Sequence, residues 1–121
     1  MDIAHLLNGG VWRVAAVSQQ PSLTLVRWQV LQLPSGRRHF AGWAVQNREG
    51  RASTAIVEFD AASMCGVTAS GRVYQLDGPP GEDSEGTYVW QAWSRINDEL
   101  VWADVSKEVW ACKSASDSTS T

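Results

Sequence analysis

The chain has 121 residues and a mass of 13.2 kDa, 44% of it hydrophobic and 19% charged, with a formal net charge of −3. That length makes one domain with a core of its own, and the composition excludes wholesale disorder. No apolar run reaches the ~20 residues of a membrane helix, since Arg27, Gln29 and Gln32 interrupt the longest one, and seven tryptophans are the unusual feature.

In chain order, residues 2–8 suit a short helix stopped by Gly9-Gly10, and Val11 to Val17 is β-branched and aromatic enough for a strand. Asp2 stands where an export signal carries basic residues, and Gly9-Gly10 cut the apolar stretch short. A cytoplasmic location is therefore expected, with Cys65 and Cys112 as reduced thiols. After a turn at Gln20-Pro21-Ser22, Leu23 to Leu33 places apolar side chains on both parities. Leu23, Leu25, Leu31 and Leu33 oppose Val26, Trp28 and Val30, which predicts a strand that is central or bulged midway. Pro34-Ser35-Gly36 turns the chain into a second strand over 37–46, with Ala41, Trp43 and Val45 on one face and Phe40 on the other. Asn47 to Gly50 turns again, and Ala52 to Phe59 alternates as a third antiparallel strand. Met64 to Thr68 and Arg72 to Leu76 form a shorter hairpin with Gly71 at its turn.

Asp77-Gly78-Pro79-Pro80-Gly81 cannot continue a strand. Beyond it, Glu82, Asp83, Ser84 and Glu85 supply three carboxylates and a capping hydroxyl to a helix predicted over 83–97. Val89, Trp93 and Ile96 make its core stripe, widened by Tyr88, Trp90 and Ala92, and Asn97-Asp98 ends it. Leu100 to Ser106 is expected to add a strand, with Val101, Ala103 and Val105 opposing Trp102 and Asp104. Lys107 to Cys112 suits a strand or a helical turn, and Lys113 to Thr121, rich in Ser and Thr, is expected as a disordered tail. Together these predict a single α+β domain over 1–112 and a tail over 113–121. The domain is a curved, mostly antiparallel sheet of five to seven strands covered by one amphipathic helix near the C-terminus.

Charge is unevenly spread. Residues 1–59 hold six arginines against three acids, and 60–121 hold four basic residues against ten acids. In one globule this predicts compensation at an internal seam, or a bipolar surface that steers a charged partner. Between Arg27 and Arg51, five arginines and His39 interleave with Trp28, Phe40 and Trp43 against the single acid Glu49. These are the residue types of a single-strand nucleic-acid binder. The acidic isoelectric point near 5.2 argues against a dedicated one, and Trp28 and Trp43 are needed for the core.

Catalytic chemistry has few carriers. The histidines are His5 and His39, and the sequence holds no nucleophile elbow, no His-Glu-Xaa-Xaa-His and no phosphate loop. A Cys65–His39 couple needs an adjacency that sequence does not supply. Asp77 to Glu85 mixes carboxylates with glycine as calcium loops do, but it lacks their ligand order, and helix capping accounts for it. No catalytic residue, metal or cofactor is assigned.

Trp12, Trp28 and Trp43 fall on three successive strands, Trp90 and Trp93 on the helix, and Trp102 and Trp110 on the closing segment. Most belong where helix meets sheet, but Trp is rarely buried entirely, so a surplus predicts some aromatic surface. The segment GRVYQLDGPPG at 71–81 followed by YVWQAW at 88–93 resembles small bacterial accessory proteins of prophages, plasmids and other mobile elements. The resemblance implies a bacterial cytoplasmic protein that binds something, and no catalytic residue transfers with it. The expected function is a non-enzymatic interaction module, homodimeric or bound to a protein partner. Its expected anchors, on the sheet or its edge strands, are Arg37, Arg38, Trp43, Tyr74 and Trp90. One alternative is a small-molecule binder with a pocket of Trp28, Trp43, Trp90 and Trp93; another is a weak single-strand nucleic-acid binder through the Arg-rich hairpin.

Overall fold

Five strands follow one another as a meander in the computed structural model, which describes residues 22–119 and the side chains of 22–113. The helix expected over 2–8 and the strand expected over 11–17, with Trp12, lie outside the described residues. The strands are β1 (Ser22–Gln32), β2 (Arg38–Ala44), β3 (Glu49–Asp60), β4 (Cys65–Thr68) and β5 (Val73–Leu76). Each is antiparallel to the one before it. An odd number of such strands leaves the first and last pointing the same way, so the pair that closes the barrel, β1 with β5, is parallel. Helix α1 (Ser84–Ile96), a two-residue strand β6 (Ala103–Asp104) on β1, and helix α2 (Ser106–Thr119) complete the α+β domain. Two expectations are corrected here. The sheet is closed rather than merely curved, which removes most of the edge an open sheet would offer, and among the described residues there are two helices rather than one.

The two apolar parities of β1 are the two sides of a bulge. Its register on β2 shifts between Val26 and Gln29, and Arg27 takes a left-handed φ of 47° there. The extra residue changes which parity faces inward. Leu23 and Leu25 before it, and Trp28 and Val30 after it, all join the barrel core with Phe40, Tyr74 and Leu76. Leu31 and Leu33 fall on the other face, in a second cluster with Ala41 and Trp90. Both faces of β1 are therefore covered, one by the barrel and one by α1.

Arg27 also fixes where α1 begins. The Asp83 carboxylate accepts from its Nε at 3.1 Å and Nη2 at 3.0 Å, and from the backbone N–H of Gly86 at 2.9 Å. The N-cap is thus the Asp83 carboxylate rather than the Ser84 hydroxyl. Asp83 is buried while Arg27 is half exposed, so the cap outweighs the ion pair. Asp83→Ala is expected to cost about 1–2 kcal/mol and Arg27→Ala less than about 1 kcal/mol, measured by chemical denaturation. Arg27–Asp83 and Arg37–Glu99 (3.2 Å) join the basic first half of the chain to the acidic second half. The charge asymmetry is compensated across that seam.

The buried face of α1 carries Gly86, Trp90 and Ser94. The stripe expected from Val89, Trp93 and Ile96 lies to one side of it: Val89 and Trp93 are half-buried, and Ile96 is 83% exposed. The reason is backbone contact. A Cβ on Gly86 would lie 2.9 Å from the backbone of Gly42 in β2, and one on Gly50 in β3 would lie 2.3 Å from the carbonyl carbon of Glu85. Glycine marks the closest approach, and a stripe drawn from hydrophobicity passes it over.

The strand expected over 100–106 shortens to β6 because side chains take over its ladder. Ser106 Oγ accepts from the Val30 N–H at 2.8 Å and donates to Asp104, whose carboxylate also accepts from the Ser106 N–H at 2.9 Å. The chain enters α2 at Ser106, so Lys107 to Cys112 is helical. Val105, Val109 and Trp110 pack into the barrel core, with the Trp110 and Trp28 rings 6.2 Å apart. The backbone of α2 continues through part of the stretch that composition suggests is a tail.

Candidate functional site

The cluster beneath α1 is dominated by aromatic rings. Trp90 stacks on Trp93 at 4.9 Å and 16°, and meets Trp102 edge-on at 5.6 Å and 89°. His39 from β2 lies 4.6 Å from Trp93 and 5.4 Å from Trp90. Leu31, Leu33, Ala41 and Ala52 complete it.

Above this cluster α1 ends in a tight hydrogen-bonded turn. The N–H of Glu99 donates to the Ser94 carbonyl at 2.8 Å, and that of Asp98 to the Arg95 carbonyl at 3.3 Å. Asp98 takes a φ of 55°. This is the Schellman pattern, with Asp where Gly or Asn is usual. The turn brings Glu99 to Arg37, in the connection between β1 and β2, at 3.2 Å. It also leaves Ile96, Leu100 (63%) and Val101 (67%) mostly exposed, three large aliphatic side chains within six consecutive residues. Beside them runs a groove of about 240 Å³ lined by Gln32, Leu33, Pro34, Val101, Trp102 and Ala103. The result is an apolar end with aromatic backing and an Arg37–Glu99 pair at its rim.

Of the five anchors expected from the sequence, Arg37 alone belongs to this end. Arg38 donates to Gln32 at 2.7 Å, and Trp43 is half-buried under the Arg27 guanidinium at 5.9 Å. Tyr74 is inside the barrel, 5.4 Å from Phe40, with its hydroxyl accepting from Arg51 Nε at 3.3 Å. Trp90 is buried beneath α1. The four tryptophans expected to share a pocket are not brought together, because Trp28 belongs to the barrel core and Trp90 to the cluster on the opposite face of the sheet. A cavity of about 50 Å³ bordered by Val30, Arg38, Phe40, Ile56, Phe59 and Val109 is well below the roughly 300–1,000 Å³ of small-molecule sites. Trp28 and Phe40, needed for base stacking in the nucleic-acid reading, are fully buried. Ile96, Leu100 and Val101 escaped notice as surface residues. The one signal for the last two was a pair of aliphatics one residue beyond the Asn97-Asp98 stop.

A larger cleft, about 500 Å³, is lined by Pro80, Gly81, Asp104, Ser106, Lys107 and Glu108. Its central acid has structural work. Burial pushes Asp104 up, but hydrogen bonds from the Ser106 hydroxyl, Gln29 and the Ser106 N–H outweigh that and hold it below its ordinary value, with Lys107 adding to them. Cys65 and Cys112 are free thiols, and burial, followed by the nearby Asp60, pushes the Cys65 thiol up. Cys65 pairs in the barrel wall with Asp60 and Gln75, while His39 is engaged beneath α1. Among the described residues no group of three His, Cys, Asp or Glu side chains is placed to hold a metal, and no helix is long and apolar enough to cross a membrane. Comparison with protein-family models, curated proteins and solved structures gives no match to this chain, so the chemistry of the apolar end stands on its own geometry.

Proposed function

We propose that this chain is a non-catalytic interaction module that self-associates through its apolar end. The observation that carries this is the exposure of Ile96, Leu100 and Val101 beside a groove backed by Trp102. Contiguous apolar surface with a polar rim is the usual anatomy of a protein contact, and an aromatic floor gives an incoming side chain a desolvated seat. The favoured partner is a second copy of this chain. The rim carries the cations Arg37 and Arg95 and the anions Asp98 and Glu99. Across a two-fold axis each would meet its opposite, which makes the patch complementary to itself. A binding role of this kind suits an accessory protein of the sort that 71–81 and 88–93 resemble.

The test is oligomeric state by light scattering across a dilution series. Ile96→Asp and Leu100→Asp change exposed side chains and are expected to alter the fold stability by no more than about 0.5 kcal/mol. The wild type is expected to be a dimer that dissociates on dilution. Either variant is expected to weaken it by at least about tenfold, the effect of truncating one hot spot, with the far-UV circular dichroism unchanged. A wild type that stays monomeric at millimolar concentration, or variants that dimerise as well as it does, overturns the proposal.

A further inference from the structure

His39 is the one titratable side chain of the aromatic cluster beneath α1, and it is 2% exposed. Its Nδ1 lies 2.9 Å from the Ser53 carbonyl, so that nitrogen carries the proton and donates, and Nε2 of the neutral ring is an acceptor. Nε2 has no hydrogen-bond partner among the described residues, and neither has the indole N–H of Trp90. A second proton would place a charge and an unmatched N–H at Nε2.

Each element packed around the ring bears on that charge. From β3 comes the Ser53 carbonyl, already taken by Nδ1. From α1 come the Trp90 and Trp93 rings, inclined at 52° and 49°, so the imidazole lies flat on neither indole face. The turn ahead of β2 brings Arg37, which repels it, and the segment after α1 brings Glu99, which attracts it but is already engaged by Arg37.

We propose that His39 is a proton-operated release for α1, and through it for the apolar end. Protonation expels the ring from its seat against the stacked Trp90–Trp93 pair and frees the second half of the helix from the sheet. Trp102, which lines the groove, packs edge-on against Trp90, so the groove loosens with it. This regulation rests on the reading of that end as the contact surface.

The direction follows from linkage. Burial above all holds the docked ring below its ordinary pKa; the Ser53 carbonyl opposes this, Arg37 adds to it and Glu99 opposes it. The released ring titrates near 6.5. Above that value both forms are neutral and docking keeps its full strength. As pH falls through about 6.5 toward the docked value, the ratio of docked to released drops by up to about tenfold per pH unit.

Tryptophan emission and near-UV circular dichroism of the full chain, followed from about pH 8 to about pH 5 at a dilution where it is monomeric, test this. The expected result is a red shift of emission and loss of near-UV signal with a one-proton dependence, while the far-UV spectrum of the barrel is kept. His39→Phe is expected to abolish the transition in that window. The same transition in both proteins, or none in the wild type, overturns the proposal. Should His39→Phe fail to fold, proton NMR of the wild type decides. A His39 ring that titrates together with the Trp90 and Trp93 indole signals supports release, and one that titrates alone refutes it. No association enters these measurements, so their failure removes the release mechanism and leaves self-association to the Ile96 and Leu100 variants.

Discussion

Trp28→Ala is expected to remove about 4–8 kcal/mol of stability, enough to unfold a domain at the lower end of the usual range. Trp28 is fully buried just past the β1 bulge, at the centre of the barrel core and against Trp110. Its indole N–H donates to the Gly78 carbonyl at 2.9 Å, tying the loop between β5 and α1 to β1. Truncating a buried Trp to Ala costs about 3–5 kcal/mol, because the barrel wall, hydrogen-bonded all round, cannot collapse into the space. The orphaned Gly78 carbonyl adds about 1–3 kcal/mol if it stays dry. A domain of this size has roughly 5–15 kcal/mol in total, and the sum consumes the lower part of that range. Trp28→Phe keeps most of the ring and loses the donor, so its expected cost is smaller, about 1–3 kcal/mol. Guanidinium denaturation of the two variants measures both. A Trp28→Ala loss below about 1 kcal/mol would show that the barrel interior is not packed as described.

The second large effect comes from adding a single methyl group. Gly50 has an ordinary negative-φ backbone, so it is contact and not conformation that excludes a side chain there. The atoms its Cβ would meet, the Glu85 carbonyl carbon at 2.3 Å and the Gly86 nitrogen at 2.5 Å, are backbone and cannot swing aside. Gly50→Ala is therefore expected to push α1 off β3, at about 3 kcal/mol, the upper end of overpacking penalties. Gly86→Ala makes a sharper comparison. In a free helix that change stabilises by about 1 kcal/mol, but here the new carbon meets the Gly42 backbone at 2.9 Å. A net loss of stability with a weakened near-UV signal from Trp90 and Trp93 is the expected result. A gain would mean that α1 does not lie as close to β2 as the geometry requires.

These two sites differ in how far they can be read from the chain. Trp28 follows from its place in an apolar run, and its burial is what its side chain favours on transfer from water. Gly50 and Gly86 carry no such signal, because a glycine pressed against another backbone and a glycine in an open turn are identical in sequence. For the same reason the buried face of α1 was displaced from Trp90 and Ser94 toward Val89 and Ile96. The candidate surface shows the same limit. Arg37 was legible, since a charged residue beside a tight turn is exposed almost by definition. Ile96 was assigned to a core stripe, and Leu100 and Val101 to a strand, because aliphatic side chains usually belong to such elements. Their exposure depends on what fails to cover them, which is a property of distant residues.

What the amino-acid sequence by itself determined is the local order. The strands of the meander, the Pro34-Ser35-Gly36 turn, the two apolar parities of β1, and the start and stop of α1 at Asp83 and Asn97-Asp98 all arise from turn chemistry, capping and side-chain parity among near neighbours. What only the tertiary structure decided is everything that needs residues far apart in the chain to meet. Ser22–Leu25 pair with Val73–Leu76 to close the barrel. The Ser106 hydroxyl replaces a ladder bond of Val30 where the expected strand ends and α2 begins. Seven tryptophans, too, were legible as a count, but the division of those described between a barrel core and a cluster beneath α1 was not. Burial follows from the final packing of both faces of one sheet, and no window of sequence contains both faces at once.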